Sequence, residues 1–91
     1  MKKLPANVQK YANSPVFTEA TVPMNLLSAH ATKAGVWGKL IVKSGALTYT
    51  ILTDPQEIIR LEAGDFGVIE PDTLHFVTPE GAVEFCVEFY K

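Results

Sequence analysis

The spacing of glycine and proline along the chain limits the fold more than any other feature of the sequence. Turn signals interrupt the chain at short intervals, at residues 32–35, 43–45, 54–56, 64–65, 71–72 and 80–81. Between them lie short runs rich in apolar, β-branched and aromatic residues, and none shows a convincing helical period. The pattern predicts about seven short strands, at residues 24–30, 36–42, 46–53, 57–62, 66–69, 74–78 and 82–90. Strands at this spacing indicate an all-β sandwich or a small barrel.

The N-terminal residues differ from the rest because their chain breakers stand close together. Pro5, the Asn13-Ser14-Pro15 triplet and Pro23 interrupt any helical pattern. We therefore expect residues 1–14 to form an extended arm of one domain that spans residues 1–91. This arm either lies along a sheet edge or crosses to a second subunit, and such edge or arm contacts lead us to expect a homodimer.

The composition excludes several classes of partner. Of the 91 residues, 47% are hydrophobic and 20% are charged, and the net charge is -2, so nothing indicates binding to nucleic acid or to an anionic membrane. The apolar runs are too short for a transmembrane helix, and the first residues lack the apolar core of a signal peptide. The single Cys86 excludes an internal disulfide and fits a reducing compartment. We expect a cytoplasmic protein.

The two histidines of the chain, His30 and His75, are its main candidates for site chemistry. His75 follows a proline corner at Pro71, and Glu70 immediately precedes that corner. Neutral imidazole and carboxylate are ordinary ligands for a divalent metal ion. A histidine on an apolar strand is also often a packed, hydrogen-bonded residue, so the residues alone leave both interpretations open.

The two segments that contain these histidines resemble the motifs of the cupin superfamily. One runs from Gly64-Asp65 through Pro71 to His75, and the other is His30-Ala-Thr-Lys-Ala-Gly-Val-Trp-Gly-Lys-Leu followed by Gly45. Together with the ending Val87-Glu88-Phe89-Tyr90, they are more closely similar to a small cupin domain. That domain stands at the N-terminus of TehB-type tellurite-resistance proteins and occurs alone in YeaR-like proteins. The resemblance extends from about residue 15 to residue 90.

The resemblance implies a single-domain, cupin-like jelly-roll antiparallel β-barrel with His30 and His75 near one mouth. It also implies a divalent transition metal, with zinc as the first choice and Fe(II), Mn and Ni as alternatives. The sequence departs from the general cupin pattern, since Thr32 stands where a second histidine is sought and Gly38 stands near the usual glutamate. We predict a metal site formed by His30, His75 and Glu70.

Glu88 on the last strand is the alternative third ligand, and the register of that strand decides between the two glutamates. A two-residue loop at Glu80-Gly81 would place Glu88 on the face of His75, together with Glu84 and Cys86. A three-residue loop would instead place an apolar set there, namely Val83, Phe85, Val87 and Phe89. The apolar set is more typical of an interior, which favours Glu70.

Three further residues are predicted to contact a ligand. Lys33 and Thr32 lie beside His30 on a loop that ends at Gly35, and their ammonium and hydroxyl groups would hold an oxyanion such as tellurite. Trp37 would form a wall of the pocket. The ordinary alternatives are a solvated lysine and a tryptophan that packs in the core or an interface.

These observations lead to a hypothesis about function. We expect a metal-binding cupin domain of the tellurite-resistance type that binds a small molecule or oxyanion in a stress response. One alternative is a metal-dependent cupin enzyme, such as a dioxygenase or isomerase, although no residue is identified as its general base. The other alternative is a metal-free interaction module with packed histidines.

Overall fold

The computed structural model describes residues 1–91 and contains six β-strands and one short 3-10 turn at Met24–Leu26. The strands are β1 Lys10–Asn13, β2 Phe17–Thr18, β3 Trp37–Ile51, β4 Glu57–Glu62, β5 Phe66–Ile69 and β6 His75–Tyr90. Every strand pair is antiparallel. The prediction of an all-β domain is therefore confirmed. No helix is long and apolar enough to cross a membrane.

Two long strands, β3 and β6, form the frame of the sheet. They contain 15 and 16 residues and pair with each other from Trp37↔Tyr90 to Ile51↔His75. The free edge of β3 carries β5 on its first half and β4 on its second half, and the free edge of β6 carries β1 and β2. The strand order is β1-β6-β3-β4. Because β1 and β4 do not pair, the sheet is not closed into a barrel.

Two predicted turns are wrong, because they lie within continuous strands. The segment 43–45 is part of β3, and Glu80-Gly81 is part of β6. The pairing of β3 with β6 shifts register between Val42 and Ser44 and again between Gly45 and Leu47. Such irregularities bend a strand and increase its twist without reversing it. The residues that were predicted to form these two turns therefore lie at bends within the long strands.

The predicted strand at 24–30 is also wrong. The segment contains the 3-10 turn, and only His30 forms a β-bridge. An extended segment becomes a strand only when it runs along a sheet edge that satisfies its backbone groups, and residues 24–29 pair with no strand. The predicted strands at 57–62 and 66–69 coincide with β4 and β5.

The N-terminal segment lies along the sheet of its own chain. Strand β1 pairs with the last residues of β6, and Gln9 exchanges backbone hydrogen bonds with Lys91 at 3.1 and 3.2 Å. The Ser14 hydroxyl accepts a hydrogen bond from the Val87 N–H at 2.9 Å. Part of the arm predicted for residues 1–14 is thus a short edge strand.

The hydrophobic core is one cluster built mainly on the two long strands. Eleven buried residues belong to it, and most of them come from β3 and β6. Tyr49 is fully buried there, and its hydroxyl donates a hydrogen bond to the Val68 carbonyl at 2.9 Å. Residues of this cluster also form the floor of the pocket described below.

Gly45 should be sensitive to substitution because strands β3 and β6 approach each other closely at this residue. Its φ is +72°, and an added Cβ would lie 2.0 Å from the Ala82 carbonyl oxygen. Gly81 has the same φ, but an added Cβ there meets nothing within 4 Å. We expect Gly81→Ala to cost about 1 kcal/mol of unfolding free energy for the backbone conformation alone. Gly45→Ala should cost about 1–3 kcal/mol more, because the backbone must move.

Urea denaturation of the two variants and the wild type measures this difference. Equal losses of unfolding free energy in the two variants would contradict the close approach of β3 and β6 at Gly45.

Candidate functional site

The structure brings the two histidines together through their backbones. The His30 N–H donates to the His75 carbonyl at 3.1 Å, and the His75 N–H donates to the His30 carbonyl at 2.9 Å. His75 is the first residue of β6, while His30 ends an irregular segment that follows the 3-10 turn. A second bridge joins Thr32 to Pro71. The loop after His30 is therefore fastened to the proline corner before His75.

The two imidazole rings lie side by side and have the same hydrogen-bond arrangement. Their centroids are 4.2 Å apart, and their planes are inclined at 57°. The Nδ1 of His30 lies 3.0 Å from the Ser28 carbonyl oxygen, and the Nδ1 of His75 lies 2.9 Å from the Thr73 carbonyl oxygen. A carbonyl oxygen only accepts, so each Nδ1 carries a proton. In its neutral form, each ring therefore has its free lone pair on Nε2.

Both histidines line one pocket, and we infer that their Nε2 atoms open into it. His75 is 2% exposed, yet no side-chain nitrogen or oxygen that is buried in this chain lacks a hydrogen-bond partner. Since neither Nε2 makes a hydrogen bond within the chain, both must reach accessible space, and both histidines line the same cavity of about 390 Å³. Two adjacent acceptors therefore face a volume large enough for a small molecule.

Burial lowers the pKa of His75 below its ordinary value of 6.5. The Thr73 carbonyl opposes this shift by accepting a hydrogen bond from Nδ1, and the neighbouring His30 adds to it. The rings of Tyr49 and His75 pack in a T-shaped arrangement, with centroids 5.8 Å apart and planes inclined at 80°. The buried imidazole is thus held in its neutral form.

The remaining wall of the pocket is mostly apolar. Its floor includes alternate residues of β6, namely Val77, Phe85, Val87 and Phe89, with Leu40 and Ile69 from the adjoining strands. The hairpin loop considered from the sequence does not exist, but the apolar set does share the face of His75. Glu88 lies outside the pocket, where its carboxylate accepts hydrogen bonds from Lys10 at 3.0 Å and the Tyr90 hydroxyl at 2.9 Å.

Glu70 does not line the pocket either. Its carboxylate lies 3.4 Å from the Lys2 ammonium, and its carbonyl faces the Thr32 hydroxyl at 3.4 Å. No group of three or more His, Cys, Asp or Glu side chains is placed to hold a metal ion. The chain therefore supplies two imidazoles without a nearby carboxylate, and the three-residue metal site stays a prediction.

The three residues expected to contact a ligand have different positions. The Thr32 hydroxyl donates its hydrogen bond to the Val36 carbonyl at 2.7 Å, so its proton is already used within the loop. Lys33 lines the pocket and is exposed. Trp37 is not part of the lining and begins β3 opposite Tyr90.

Sequence reasoning missed the contribution of the N-terminal half to the pocket. Tyr11, Asn25 and Leu26 line it, although Tyr11 lies in β1 and the other two lie in the 3-10 turn. No motif marks these residues, because their positions depend on how an irregular segment folds back over the sheet.

Comparison with known proteins identifies the family of this chain. The model of the TehB-like domain family matches residues 12–87. This chain belongs to the TehB-like domain family. The uncharacterised protein YeaR of Escherichia coli K12 is 30% identical over 83 residues, and the match covers 82% of this chain and 70% of YeaR.

A second relative is much longer than this TehB-like chain. The probable S-adenosyl-L-methionine-dependent methyltransferase TehB of Haemophilus influenzae Rd is 32% identical over 75 residues. The match covers 82% of this chain and 22% of TehB. The similarity thus concerns one part of that protein.

Solved structures have the same fold as this TehB-like domain. A crystal structure of an Escherichia coli K12 protein from the Northeast Structural Genomics Consortium superposes with a TM-score of 0.89 at 26% identity. It covers 100% of this chain and 97% of the other. The crystal structure of Haemophilus influenzae TehB gives a TM-score of 0.78 at 30% identity, over 93% of this chain and 32% of TehB.

The lowered pKa of His75 predicts how stability depends on pH. An unfolded histidine titrates near pH 6.5, so between that pH and the lower folded pKa the unfolded state binds more protons than the folded state. Stability contributed by neutral His75 is complete above about pH 6.5 and is lost as the pH falls toward the folded pKa.

We expect this part of the pH dependence to disappear in His75→Gln, whatever the overall stability of that variant. Urea denaturation of metal-free wild type and variant, between about pH 7.5 and pH 5, measures it. Parallel stability curves for the two proteins would contradict the assignment.

Proposed function

We propose that this TehB-like domain is a ligand-binding protein in which His30 and His75 together hold one divalent metal ion. A small molecule or oxyanion that enters the pocket would complete the coordination of that ion. The observation that carries the proposal is the pair of free Nε2 atoms at the wall of one cavity. The alternative of two histidines that serve only packing assigns no protein partner to either Nε2 lone pair.

The donor set fits a transition metal of the imidazole-binding type. A metal-binding histidine usually donates its other ring N–H to a backbone carbonyl or carboxylate, and both histidines have this arrangement. Imidazole suits Zn, Fe and Ni, and we propose Zn first, with Fe(II), Mn and Ni as alternatives. Catalytic zinc sites use three protein ligands, so two histidines leave more positions for the ligand.

The metal would act as a Lewis acid toward the oxygen of a bound oxyanion. The protein residues would hold the ion, exclude water with the apolar floor, and place the Lys33 ammonium at the same pocket. Besides the two histidines, only Lys33 and Tyr11 among the lining residues are titratable, and both are exposed. With both Nε2 atoms bound to the metal ion, the lining would offer no buried general base, which favours binding over catalysis.

The biological setting is part of the same proposal. One relative is named as a probable methyltransferase, TehB, and this chain matches 22% of its length. We propose that the domain is of the cupin, jelly-roll type and acts in the cytoplasm in a stress response that includes tellurite resistance. Two observations support this proposal, the family match and the β-bridge that joins His30 to His75.

A homodimer is proposed as the working form. Strands β1 and β4 end the strand path and each has an edge without a partner strand, and Ile58 on β4 is 68% exposed. Open edges of this kind favour pairing between copies. Sedimentation equilibrium over a range of protein concentrations measures the association.

Metal content tests the proposal directly. We expect untagged protein incubated with Zn, Fe(II), Mn or Ni to retain close to one ion per chain, measured by mass spectrometry after buffer exchange. His30→Ala and His75→Ala should each weaken metal affinity by at least about tenfold, because each removes one donor.

Two control variants separate the histidine pair from the three-residue site. In Glu70→Gln the metal content should be unchanged, since that carboxylate faces Lys2 in the structure. Lys33→Ala should also retain the metal. Circular dichroism establishes that each variant is folded, and a wild-type protein that takes up none of the four metals would refute the proposal.

A further inference from the structure

When no metal is bound, the two histidines of the pocket can act as hydrogen-bond acceptors for a ligand. The Nε2 atoms of His30 and His75 are both acceptors, because their Nδ1 atoms carry the ring protons. The Thr32 hydroxyl lies nearby but already donates to the Val36 carbonyl. The histidine wall therefore has two lone pairs and no available proton.

This arrangement disfavours a bare anion at the histidines. The oxygens of a carboxylate or oxyanion are acceptors only, and against two acceptor nitrogens they would lose water without gaining a hydrogen bond. A ligand O–H or N–H would instead donate to an Nε2 from which the ligand has displaced water. Leaving such a group without its partner is costly in a buried site.

The rest of the wall determines the body of the ligand. Leu40, Val77, Phe85 and Val87 are among its apolar residues, and all four are at most 5% exposed. Lys33, the one lysine, arginine or acidic residue in the lining, is exposed and has no partner among the ion pairs of the chain. A compact apolar or aromatic molecule fits such a cavity, provided that its polar atom meets the histidines.

We infer that the metal-free pocket selects a neutral, compact apolar molecule with one hydrogen-bond donor, such as a phenol, and rejects anions of similar shape. The inference rests on the proposed ligand-binding role of the pocket and names the class of ligand for its metal-free state. Binding of a metal to the two Nε2 atoms would remove the acceptors and favour ligands that donate lone pairs.

A pair of isomers provides the test. 4-Methylphenol and anisole contain the same atoms, but only 4-methylphenol carries a hydroxyl proton, and benzoate supplies the anion. Titrations into chelator-treated protein at about pH 8, where histidine is ordinarily neutral, are followed by NMR chemical shifts of residues in the pocket. We expect 4-methylphenol to bind at least about tenfold more tightly than anisole, and benzoate to bind no more tightly than anisole.

Two variants locate the effect. His30→Leu removes one acceptor and should reduce the preference for 4-methylphenol over anisole. The control is Lys43→Ala, which removes a charge from an exposed lysine outside the lining and should leave that preference unchanged. Loss of the preference in both variants, or in neither, would overturn the role assigned to the histidine.

The results of this titration are independent of metal uptake. Equal binding of the two isomers, tightest binding of benzoate, or no binding of any probe would overturn the inference, even if the protein retains metal. A clear preference for 4-methylphenol in a protein that takes up no metal would support the inference and refute the metal part of the proposed function.

Discussion

The continuous antiparallel pairing of β3 with β6 is the constraint on which the rest of the structure depends. Every other strand pairs with one of these two, and most of the buried cluster comes from them. The register shifts near Gly45 bend the pair and increase its twist. Apolar residues of the two strands form most of the core and part of the pocket floor.

The histidine pair lies at one end of the paired strands β3 and β6. His75 opens β6 opposite Ile51, and its backbone also pairs with His30. This bridge gives the irregular segment before β3 a fixed point on the sheet. In each histidine a carbonyl two residues earlier accepts the Nδ1 proton, so the same local geometry fixes both tautomers. The chemistry of the site follows from backbone positions more than from side-chain contacts.

Several polar residues near the site contribute to the fold. The Thr32 hydroxyl closes its own loop, while Glu70 and Glu88 pair with Lys2 and Lys10. Both ion pairs include exposed lysines, so their effect on stability is small. They nevertheless direct the two carboxylates away from the histidines. What faces the cavity is consequently an apolar wall with two adjacent acceptors, a surface that suits a metal ion or a hydrogen-bond donor.

The sequence by itself determined the all-β class, the strands β4 and β5, the membership in the TehB-like family and the two histidines as candidates. These depend on local turn chemistry, strand propensity and short motifs. Only the tertiary structure decided that the signals at Gly45 and Gly81 bend strands, and that the carboxylate of Glu70 faces Lys2. It also placed Tyr11 and Asn25 at the pocket. Whether a glycine reverses or bends a strand depends on the partner strand across from it, and that partner is distant in sequence.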